Sequence, residues 1–236
     1  MRAFILAAGE GRRLGPLTEH VPKPMIEIRG RPILEHTIKR LSAVGFRDFI
    51  VNTHHHSEAI VSHFGDGAAF GVRITYSYEP ALLGTAGALN PVRDLLDSTF
   101  LLVYGDNLTT CRLDRLIATH RPGDLATIAV FQRADVAQSG VVELDADDRV
   151  TAFIEKPEVA VESHWVNAGL MVLEPRIFEF IPPSGFSDFG RTVLPAALEA
   201  GERLSAYKMS EQLWWIDSLQ DYERTIADPA LVALDA

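Results

Sequence analysis

The sequence predicts an α/β protein built around a mainly parallel central sheet. Over the first two thirds of the 236 residues, short apolar runs alternate with longer amphipathic ones, which is typical of repeated strand–helix units. From residue 125 onward the predicted segments are mainly β-strands. Because no repeat, low-complexity tract or long linker interrupts the chain, we expect one domain over residues 1–236, with parts near 1–124 and 125–236.

The elements of the first part follow from the period of the apolar residues. Continuous or alternating apolar runs predict strands, and apolar residues at helical spacing predict helices. The predicted strands are residues 3–6, 49–51, 72–76 and 100–104. The predicted helices are residues 32–41, 57–64, 84–96 (with Pro91 as a weak point) and 114–120.

The second part is predicted to consist mainly of strands, at residues 127–131, 141–144, 150–154 and 166–173. The acidic stretch 145–148 between two of these strands is typical of a hairpin turn. Two short helices, near residues 176–180 and 192–199, and a final strand–helix pair ending near Ile226 complete the expected fold.

Composition and charge exclude several classes of protein. The chain carries 22 Lys and Arg against 32 Asp and Glu, and the net charge of −10 argues against a general binder of nucleic acid or acidic membranes. The single cysteine, Cys111, excludes an internal disulfide and a cysteine-based zinc cluster. The apolar run 3–8 is shorter than a signal-peptide core, and no run approaches the ~20 residues that span a bilayer. We therefore expect a cytoplasmic protein.

Lysine is rare, and its placement is informative. Of the four lysines, Lys23 and Lys156 lie beside proline, in Pro22-Lys23-Pro24 and Glu155-Lys156-Pro157. A lysine is a compact positive charge, and a loop stiffened by proline limits the entropy lost when that charge binds an anion. These two lysines are therefore predicted to hold phosphate groups.

The glycine-rich residues 9–18 directly follow the first predicted strand, where ligands of open α/β sheets bind. Glycine amides can approach an anion closely, and Arg12 or Arg13 could add a guanidinium. The loop is not a Walker A loop, since no lysine follows a glycine, and its glycine spacing is one residue too long for a dinucleotide fingerprint. A phosphate cradle and an ordinary turn with solvated arginines both stay open.

Two carboxylates are candidate metal ligands. Asp106 follows an apolar strand and Gly105, and Asp217 follows a second apolar run. Mg²⁺ prefers such oxygens, although an Asp after Gly is also common in turns. The run His54-His55-His56 is expected to be a partly exposed strand-end loop rather than a metal site, because neighbouring strand residues point to opposite faces.

Short segments spread over nearly the whole chain carry a resemblance to a known family. They are residues 6–18, 22–24, 83–88, 105–107, 140–143, 155–157, 167–169 and 215–217. In this order they resemble the sugar-1-phosphate nucleotidyltransferases, and among them the mannose-1-phosphate guanylyltransferase-like NDP-sugar pyrophosphorylases. The resemblance implies a Rossmann-like, three-layer fold of the glycosyltransferase-A type with a β-rich sugar-binding lobe. It also implies the reaction of an NTP with a sugar 1-phosphate to give an NDP-sugar and pyrophosphate.

The resemblance also implies roles for individual residues. On the nucleotide side it implies contacts from Ala8, Gly9, Gly11, Arg13, Glu79, Gly84 and Thr85, with Arg13 and Lys23 as catalytic cations. On the sugar-phosphate side it implies contacts from Asn107, Gly140, Glu155, Lys156 and Asn167. It implies a Mg²⁺ ion held by Asp106 and Asp217.

The sequence departs from the family pattern at three places. Arg12 stands where many members carry a small Ser or Thr, and Ser139 where an aromatic residue often precedes Gly-Val-Val. Ser218-Leu219 follows Asp217 where Gly-Thr is common. We also expect no C-terminal left-handed β-helix of the kind that longer relatives append.

Three functions from different classes follow from these observations. The first is a Mg²⁺-dependent nucleotidyltransferase. GTP with mannose 1-phosphate is favoured, and uridylyl or other transfer to N-acetylmuramate, heptose or glucose 1-phosphate is the alternative. The second is a glycosyltransferase that consumes a nucleotide sugar, which would leave the glycine-rich loop and Lys23 unexplained. The third is a non-catalytic nucleotide-sensing module. We expect small-molecule partners, no nucleic acid or membrane, and a monomer or small homo-oligomer.

Overall fold

The computed structural model describes residues 1–234, except for the side chain of Arg12. The strands, in chain order, are β1 (Ala3–Leu6), β2 (Glu27–Ile28), β3 (Arg31–Pro32), β4 (Asp48–Thr53), β5 (Arg73–Tyr78), β6 (Phe100–Tyr104), β7 (Asn107–Thr109), β8 (Asp124–Gln132), β9 (Gly140–Leu144), β10 (Val150–Glu155), β11 (Trp165–Leu173), β12 (Arg203–Lys208) and β13 (Leu213–Trp215). The α-helices are α1 (Ile33–Ala43), α2 (Ser57–Phe64), α3 (Gly84–Gly87), α4 (Leu113–Thr119), α5 (Leu194–Glu199) and α6 (Leu219–Ala227). Further short helical segments are Arg12–Thr18, Lys23–Met25, Ala68–Phe70, Asn90–Leu95, Phe189–Val193, Pro175–Glu179 and Pro229–Leu234.

The chain divides into two compact units that interleave along the sequence. Unit 1 comprises residues 1–82, residues 103–111 and the chain from Glu211 onward. Unit 2 comprises residues 83–102 and 112–210, so β6 contributes residues to both. The expected single domain over residues 1–236, with a nucleotide-binding part near 1–124 and a sugar-phosphate-binding part near 125–236, stays a prediction.

Unit 1 contains the predicted parallel strands. β1 pairs in parallel with β4, and β4 pairs in parallel with β5. The first three residues of β1 and the apolar residues of β4 are almost fully buried, as expected for parallel strands covered on both faces. Helices α1 and α2 bury the apolar residues that lie at helical spacing, among them Ile33, Ile38 and Ile60.

A second apolar cluster in unit 1 packs the glycine-rich loop and the C-terminal segments together. Its buried members are Leu14, Ile26, Ile28, Ile33, Leu108, Trp214, Ile216, Leu231 and Leu234. The cluster therefore includes Leu14 of the glycine-rich loop, Leu108 of β7, which follows Asp106, and Trp214 of β13, which precedes Asp217. Trp214 is buried in strand β13.

Unit 2 is rich in strands, which confirms the prediction for the second part of the chain. β11 pairs antiparallel with β8 and, through Val166, with β9. β9 pairs antiparallel with β10, and β12 runs parallel to β8. The predicted hairpin turn is present, and its Asp145 carboxylate accepts hydrogen bonds from the amides of Asp147 and Arg149, both at 2.9 Å.

Some predicted elements are wrong in extent or type. The predicted helix 84–96 is only the short helix α3 followed by the 3₁₀ segment Asn90–Leu95, because Pro91 lacks an amide hydrogen. The predicted helix 192–199 begins with a π-helical turn, Phe189–Val193, before α5. The segment near 176–180 is the 3₁₀ helix Pro175–Glu179. Strands β2, β3 and β7 were not predicted, since two or three residues are too short to show a period.

Candidate active site

The loops that follow β1 and β6 are brought together by a close backbone contact at Gly105. The Gly105 amide donates to the Leu6 carbonyl at 2.9 Å. A Cβ atom at position 105 would lie 2.8 Å from Ile5 Cγ2 and 2.9 Å from the Leu6 oxygen. Glycine is therefore required here by space, and Asp106 comes to lie at the end of β1 beside the glycine-rich loop.

Pairing of two short strands brings the two candidate metal ligands together. β7 and β13 are antiparallel, with Asn107 opposite Trp215. Asp106 directly precedes β7 and Asp217 follows β13 by two residues, so both carboxylates emerge at the same end of this ribbon. The sequence predicted both residues as ligands, and the structure places their side chains around one atom.

That atom is Nζ of Lys23, which lies 2.7 Å from Asp106 Oδ2 and 2.7 Å from Asp217 Oδ1. The residue Lys23 is only 5% exposed, whereas the two carboxylates are partly open to solvent. We call Lys23, Asp106 and Asp217 the charge centre. It satisfies a buried ammonium with two acceptors, as buried charges require.

The charge centre keeps Lys23 protonated. Burial alone would lower the pKa of Lys23, but the charges of Asp106 and Asp217 and their hydrogen bonds oppose burial, and the net pKa is raised. The stability that this pairing contributes is therefore present below the unfolded pKa of about 10.5 and is lost only as pH rises through the higher folded pKa. At neutral pH the site presents a fixed cation between two anions.

The glycine-rich loop packs directly on Lys23. Gly11 has a left-handed backbone, with φ of 63°, and a Cβ there would lie 2.9 Å from Thr18 Cγ2 and 3.0 Å from Lys23 Cβ. The Thr18 hydroxyl donates to the Gly11 carbonyl at 3.1 Å, and the Leu14 amide donates to the same carbonyl at 2.9 Å. Gly11 is thus held from both sides, and any other residue would be strained there.

The other predicted phosphate-binding residues of this loop differ in exposure. The Arg13 side chain is 68% exposed, and its Nη2 atom lies 3.3 Å from Asp217 Oδ2. Ala8 is buried, whereas Gly9 is exposed and no described atom lies within 4 Å of its Cβ position. The Arg12 side chain lies outside the described part of the chain. An exposed glycine amide and an exposed guanidinium are both suited to contact an anion.

Asn107 was expected on the sugar-phosphate side, but its side chain is buried inside unit 1. With the amide oriented so that both of its groups are paired, Nδ2 donates to the Asp106 carbonyl at 3.3 Å and Oδ1 accepts from Trp215 Nε1 at 3.2 Å. These contacts fix the peptide that carries Asp106. A sugar-phosphate contact from Asn107 stays a prediction.

Glu79 lies in a buried hydrogen-bonded chain that links the ends of β1, β4 and β5. The Ala7 amide donates to Asn52 Oδ1 at 2.6 Å, and Asn52 Nδ2 donates to Glu79 Oε1 at 2.6 Å. His54 Nδ1 lies 2.7 Å from the Glu79 carbonyl oxygen. Glu79 is 1% exposed, so this chain holds its carboxylate rigidly at the strand ends.

Gly84 and Thr85, in unit 2, begin the short helix α3. Gly84 has a positive φ of 80°, and a Cβ there would overlap the Ser187 carbonyl oxygen. The Thr85 hydroxyl donates to Asp188 Oδ2 at 2.8 Å and accepts from the Phe189 amide at 2.9 Å. Both residues are therefore fixed by the segment around residue 188, which sequence analysis did not mark as functional.

Glu155 lies between two glycines of unit 2. A Cβ at Gly140 would lie 2.9 Å from Glu155 Oε2, and a Cβ at Gly190 would lie 2.7 Å from the same oxygen. Burial and the charge of Asp188 raise the pKa of Glu155, against the opposing charges of Lys156 and Arg191. We call Glu155 and Asp188, with the two glycines, the carboxylate pocket. In this pocket the positive charges of Lys156 and Arg191 do not fully offset the effects of burial and of Asp188 on Glu155.

Lys156 and Asn167 complete the predicted residues of unit 2. Lys156 has a left-handed backbone, with φ of 50°, and its amide donates to the Ser139 carbonyl at 3.0 Å. Its exposed ammonium lies 4.0 Å from Glu155 Oε1. Asn167 is half-buried, and its Oδ1 accepts from the Gly169 amide at 2.9 Å. A non-glycine residue at positive φ is a sign of local strain, which tends to occur at functional sites.

The histidine run is a strand-end loop, as predicted. β4 ends at Thr53, His55 is exposed, and His54 and His56 are partly buried. Within residues 1–234, no group of three or more His, Cys, Asp and Glu side chains is arranged to hold a metal ion. Cys111 is buried, and its carbonyl accepts from Arg40 Nη2 at 3.2 Å.

The chain matches a known protein family over nearly its whole length. The sequence model of the family described as "Nucleotidyl transferase" matches residues 2–224. The chain belongs to this family. This match, together with the relatives and the solved structure that follow, confirms the predicted α/β fold class and the predicted family of sugar-1-phosphate nucleotidyltransferases.

Individual relatives of this nucleotidyl transferase differ in their named substrates. It is 34% identical to a UTP–glucose-1-phosphate uridylyltransferase of Synechocystis sp., over 96% of this chain and 62% of that protein. It is also 34% identical to a mannose-1-phosphate guanylyltransferase of Mycobacterium tuberculosis, over 96% of this chain and 64% of that protein. The chain thus spans less than two thirds of the length of these two relatives.

The fold of the nucleotidyl transferase is also found among solved structures. HddC from Yersinia pseudotuberculosis, solved in complex with GMP-PN, superposes with a TM-score of 0.79 over 95% of this chain and 97% of that chain. The sequence identity is 23%, so this likeness concerns the fold alone. Within residues 1–234, no helix is both long and apolar enough to cross a membrane.

Sequence analysis of the nucleotidyl transferase assigned no role to four residues around these sites. Asn52 is a polar residue directly after the apolar run 49–51 of β4, and Asp188 precedes a helical turn as a cap. Both signals were readable in the sequence. Gly105 and Gly190 are glycines without positive φ that are needed for space, and only the structure shows the neighbouring atoms.

Proposed function

We propose that this nucleotidyl transferase forms an NDP-sugar and pyrophosphate from an NTP and a sugar 1-phosphate. The observation that carries the proposal is the charge centre, in which Lys23 lies between Asp106 and Asp217 against Gly11. A phosphate oxygen of the sugar 1-phosphate would attack the α-phosphorus, and the bond to the β-phosphate would break to release pyrophosphate. Because the attacking oxygen is already anionic, positioning and electrostatics suffice and no general base is needed.

A divalent cation, which we propose to be Mg²⁺, fits the donor set of the charge centre. Asp106 Oδ2 and Asp217 Oδ1 already face one cation, the Lys23 ammonium, at 2.7 Å each. Mg²⁺ is commonly bound by one or two carboxylates, with phosphate and water oxygens as the remaining ligands. When bound, the ion would neutralise phosphate charge, including the charge that develops on the leaving pyrophosphate.

The surroundings of Lys23 support a phosphate-binding role for the first loop. We propose that the backbone amides near Ala8, Gly9 and Gly11 and the guanidinium of Arg13 bind the triphosphate. Arg13 is exposed and reaches Asp217 at 3.3 Å, so it lies beside the proposed metal ligands. Lys23 would turn from its carboxylate partners toward phosphate oxygens once a metal ion compensates those carboxylates.

The nucleobase is proposed to contact Glu79, Gly84 and Thr85. Glu79 is supported by its rigid placement through Asn52. Gly84 and Thr85 are supported by their fixed backbone, which leaves little entropy to be lost on binding.

The sugar 1-phosphate is proposed to contact Gly140, Glu155, Lys156, Asn167 and Asn107. Lys156 offers an exposed ammonium for the phosphate. Glu155 offers carboxylate oxygens for sugar hydroxyls, and its raised pKa indicates that a ligand that donates hydrogen bonds would stabilise the ionised form.

We propose GTP and mannose 1-phosphate as the substrates, with UTP and glucose 1-phosphate as the next choice. The M. tuberculosis relative is named for the first pair and the Synechocystis relative for the second, at equal identity. Transfer to N-acetylmuramate or heptose phosphates is a further alternative. We propose that the protein works in the cytoplasm as a monomer or small homo-oligomer.

The test combines each NTP with each of several sugar 1-phosphates in the presence of the purified protein and Mg²⁺. The measured quantity is the pyrophosphate that is released. The sugars are mannose, glucose, N-acetylmuramate and heptose. We expect release to require both substrates, to be strongest with GTP and mannose 1-phosphate, and to stop when EDTA removes the metal.

Each other result has a definite meaning. Strongest release with UTP would replace the proposed substrates and keep the reaction. Sugar transfer from an NDP-sugar without pyrophosphate chemistry would favour a glycosyltransferase. Nucleotide binding without release in any combination would refute catalysis and favour a sensing module.

A further inference from the structure

Residues 187–189 in unit 2 are hydrogen-bonded to residues 83–87, which carry Gly84 and Thr85. The Ser187 amide donates to the Leu83 carbonyl at 2.9 Å. In return, the Ser187 carbonyl accepts from the amides of Ala86 at 3.0 Å and Gly87 at 3.1 Å. The loop that is proposed to contact the nucleobase is therefore held by a segment about 100 residues away in the chain.

The Asp188 carboxylate adds two further connections. Its Oδ2 atom accepts from the Thr85 hydroxyl at 2.8 Å. Its Oδ1 atom accepts from the amides of Gly190 at 2.9 Å and Arg191 at 3.0 Å, and so caps the π-helical turn Phe189–Val193. One carboxylate thus fixes the loop on one side and the turn on the other.

The capped turn contacts the residue proposed to bind the sugar. Gly190 lies so close to Glu155 that a Cβ would come within 2.7 Å of Glu155 Oε2, and within 2.8 Å of Phe153 Cε1. The position of this turn therefore decides how much space the Glu155 carboxylate has. π-Helical turns are frequent at functional sites.

Capping alone does not require an aspartate. Serine and asparagine cap helices about as well as aspartate, but serine has one side-chain oxygen and asparagine has one acceptor oxygen. Only a carboxylate supplies two acceptor atoms, one for the amides of the turn and one for Thr85. The Asp188 carboxylate is electrostatically unfavourable beside the half-buried Glu155 carboxylate. This cost indicates that the hydrogen bond from Thr85 to Asp188 is functional.

We propose that Asp188 is a positioning residue that sets both the nucleotide-contacting loop, through Thr85, and the space around Glu155, through the cap on the Gly190 turn. The inference rests on the proposed function for the meaning of the two sites. Asp188 touches neither substrate in this proposal. It acts through Thr85 on the nucleotide and through Gly190 on the sugar phosphate.

Two substitutions at Asp188 separate its connections. Asp188→Ser keeps a capping oxygen and loses the acceptor for Thr85, so the KM for the nucleotide should rise ~10-fold, as expected for loss of a hydrogen bond to a charged group. The KM for the sugar phosphate should stay within about twofold of wild type. Asp188→Ala loses both connections, so both KM values should rise.

A double-mutant cycle tests whether Asp188 acts through Thr85. Thr85→Val removes the hydroxyl at nearly constant volume, and Thr85→Ser keeps it as the matched control. The effects of Asp188→Ser and Thr85→Val on the KM for the nucleotide should be strongly non-additive, because each removes the same hydrogen bond. Additive effects, or a wild-type KM for the nucleotide in Asp188→Ser, would overturn the proposal. If Asp188 variants do not fold, the comparison of Thr85→Val with Thr85→Ser still puts the proposal at risk, since equal KM values for the nucleotide in these two variants would overturn it.

A measurement without turnover keeps this proposal distinct from the proposed function. Amide hydrogen exchange at Ala86 and Gly87 should be ~10-fold faster in Asp188→Ser than in wild type, because the loop loses one of its anchors. A wild-type enzyme that releases no pyrophosphate would refute the proposed function, whereas unchanged exchange at these two amides would refute positioning by Asp188.

Discussion

The charge centre in unit 1 stabilises the charged form of its buried lysine, whereas the carboxylate pocket in unit 2 destabilises the charged form of its half-buried glutamate. In the charge centre, the Lys23 ammonium has two carboxylates at 2.7 Å, and its pKa is raised. In the carboxylate pocket, Glu155 has a second carboxylate as a neighbour and an ammonium only at 4.0 Å, and its pKa is also raised. The raised pKa holds the lysine in its charged form, but it favours the neutral form of the glutamate.

The two sites therefore differ in how far the protein itself pairs their charges: the charge centre is paired, whereas the carboxylate pocket is suited to a ligand. The charge centre has its charges paired, so a metal ion or phosphate must exchange with existing partners. In the carboxylate pocket, the nearby cations Lys156 and Arg191 do not fully offset the effects of burial and of Asp188 on Glu155. Hydroxyl groups of a sugar that donate hydrogen bonds to Glu155 would therefore stabilise its ionised form. Substitutions should therefore act on chemistry in unit 1 and on binding and pH dependence in unit 2.

The largest expected effect comes from breaking the charge centre at Asp106. Asp106→Asn should fold normally, because Lys23 keeps Asp217 as a partner, but pyrophosphate release should fall ~10² to 10³-fold, since an amide is a poor ligand for a divalent cation. The measurement is pyrophosphate release under saturating substrates, with circular dichroism to check the fold.

The matched control is Asp114→Asn, which removes an exposed aspartate paired with Arg112 in unit 2. This variant should keep wild-type activity, because surface ion pairs contribute little. Wild-type activity in Asp106→Asn would show that Asp106 is not an essential metal ligand. It would also contradict the proposal that substitutions in unit 1 act on chemistry.

The next effect concerns the glycine that packs on Lys23. Gly11 and Gly71 have nearly the same backbone, with φ of 63° and 69°. No described atom lies within 4 Å of the Cβ position of Gly71, whereas Gly11 is crowded by Thr18 and Lys23. Gly71→Ala should therefore lower the free energy of unfolding by ~1 kcal/mol through backbone strain alone, and Gly11→Ala by ~2 to 4 kcal/mol through strain and overpacking.

Urea unfolding of both alanine variants measures this difference. Gly11→Ala should also lose most pyrophosphate release, because its methyl group pushes against the lysine of the charge centre. An equal loss of stability in the two variants would show that backbone strain, and not contact with Thr18 and Lys23, makes glycine necessary at position 11.

Local signals in the sequence predicted most of the regular elements. Strands β1 and β6 and helix α2 have the predicted bounds, because each is an uninterrupted apolar or amphipathic run that ends at a clear break. The predicted helix 84–96 was wrong in extent because Pro91 cannot donate a helical hydrogen bond, and because the amides of Ala86 and Gly87 donate to the distant Ser187 carbonyl.

Sequence analysis named the residues of the candidate site but not their contacts. Family resemblance named Lys23, Asp106 and Asp217. Asp106 lies 83 positions and Asp217 lies 194 positions after Lys23 in the sequence, and no periodicity relates the three residues. Charge and proline placement predicted that Lys23 holds phosphate, whereas the structure gives it two carboxylate partners. Such pairing depends on the β7–β13 ribbon, whose strands are too short to be seen in the sequence.

One departure from the family pattern has a local structural reason. Ser218 stands where glycine is common after the second carboxylate, and here its hydroxyl accepts from the Asp221 amide at 3.1 Å. It thereby caps α6, which begins at Leu219. The serine thus stabilises the start of the helix that follows Asp217, and a cap of this kind is recognisable from sequence.

The smallest expected effect is the pH dependence of stability from Glu155. Burial first, and then the charge of Asp188, raise its folded pKa above the unfolded value of about 4.3, while Lys156 and Arg191 oppose this shift. A raised pKa means that the folded state prefers the protonated carboxyl. The contribution of Glu155 to stability is therefore fully present below about pH 4 and is lost as pH rises through the folded pKa. Glu155→Gln, which stays neutral, should match wild type at pH 4 and have a Tm higher by ~2 °C at pH 7. A Tm for Glu155→Gln that is lower than wild type at pH 7 would mean that the pocket stabilises the ionised form, and the contrast with the charge centre would then disappear.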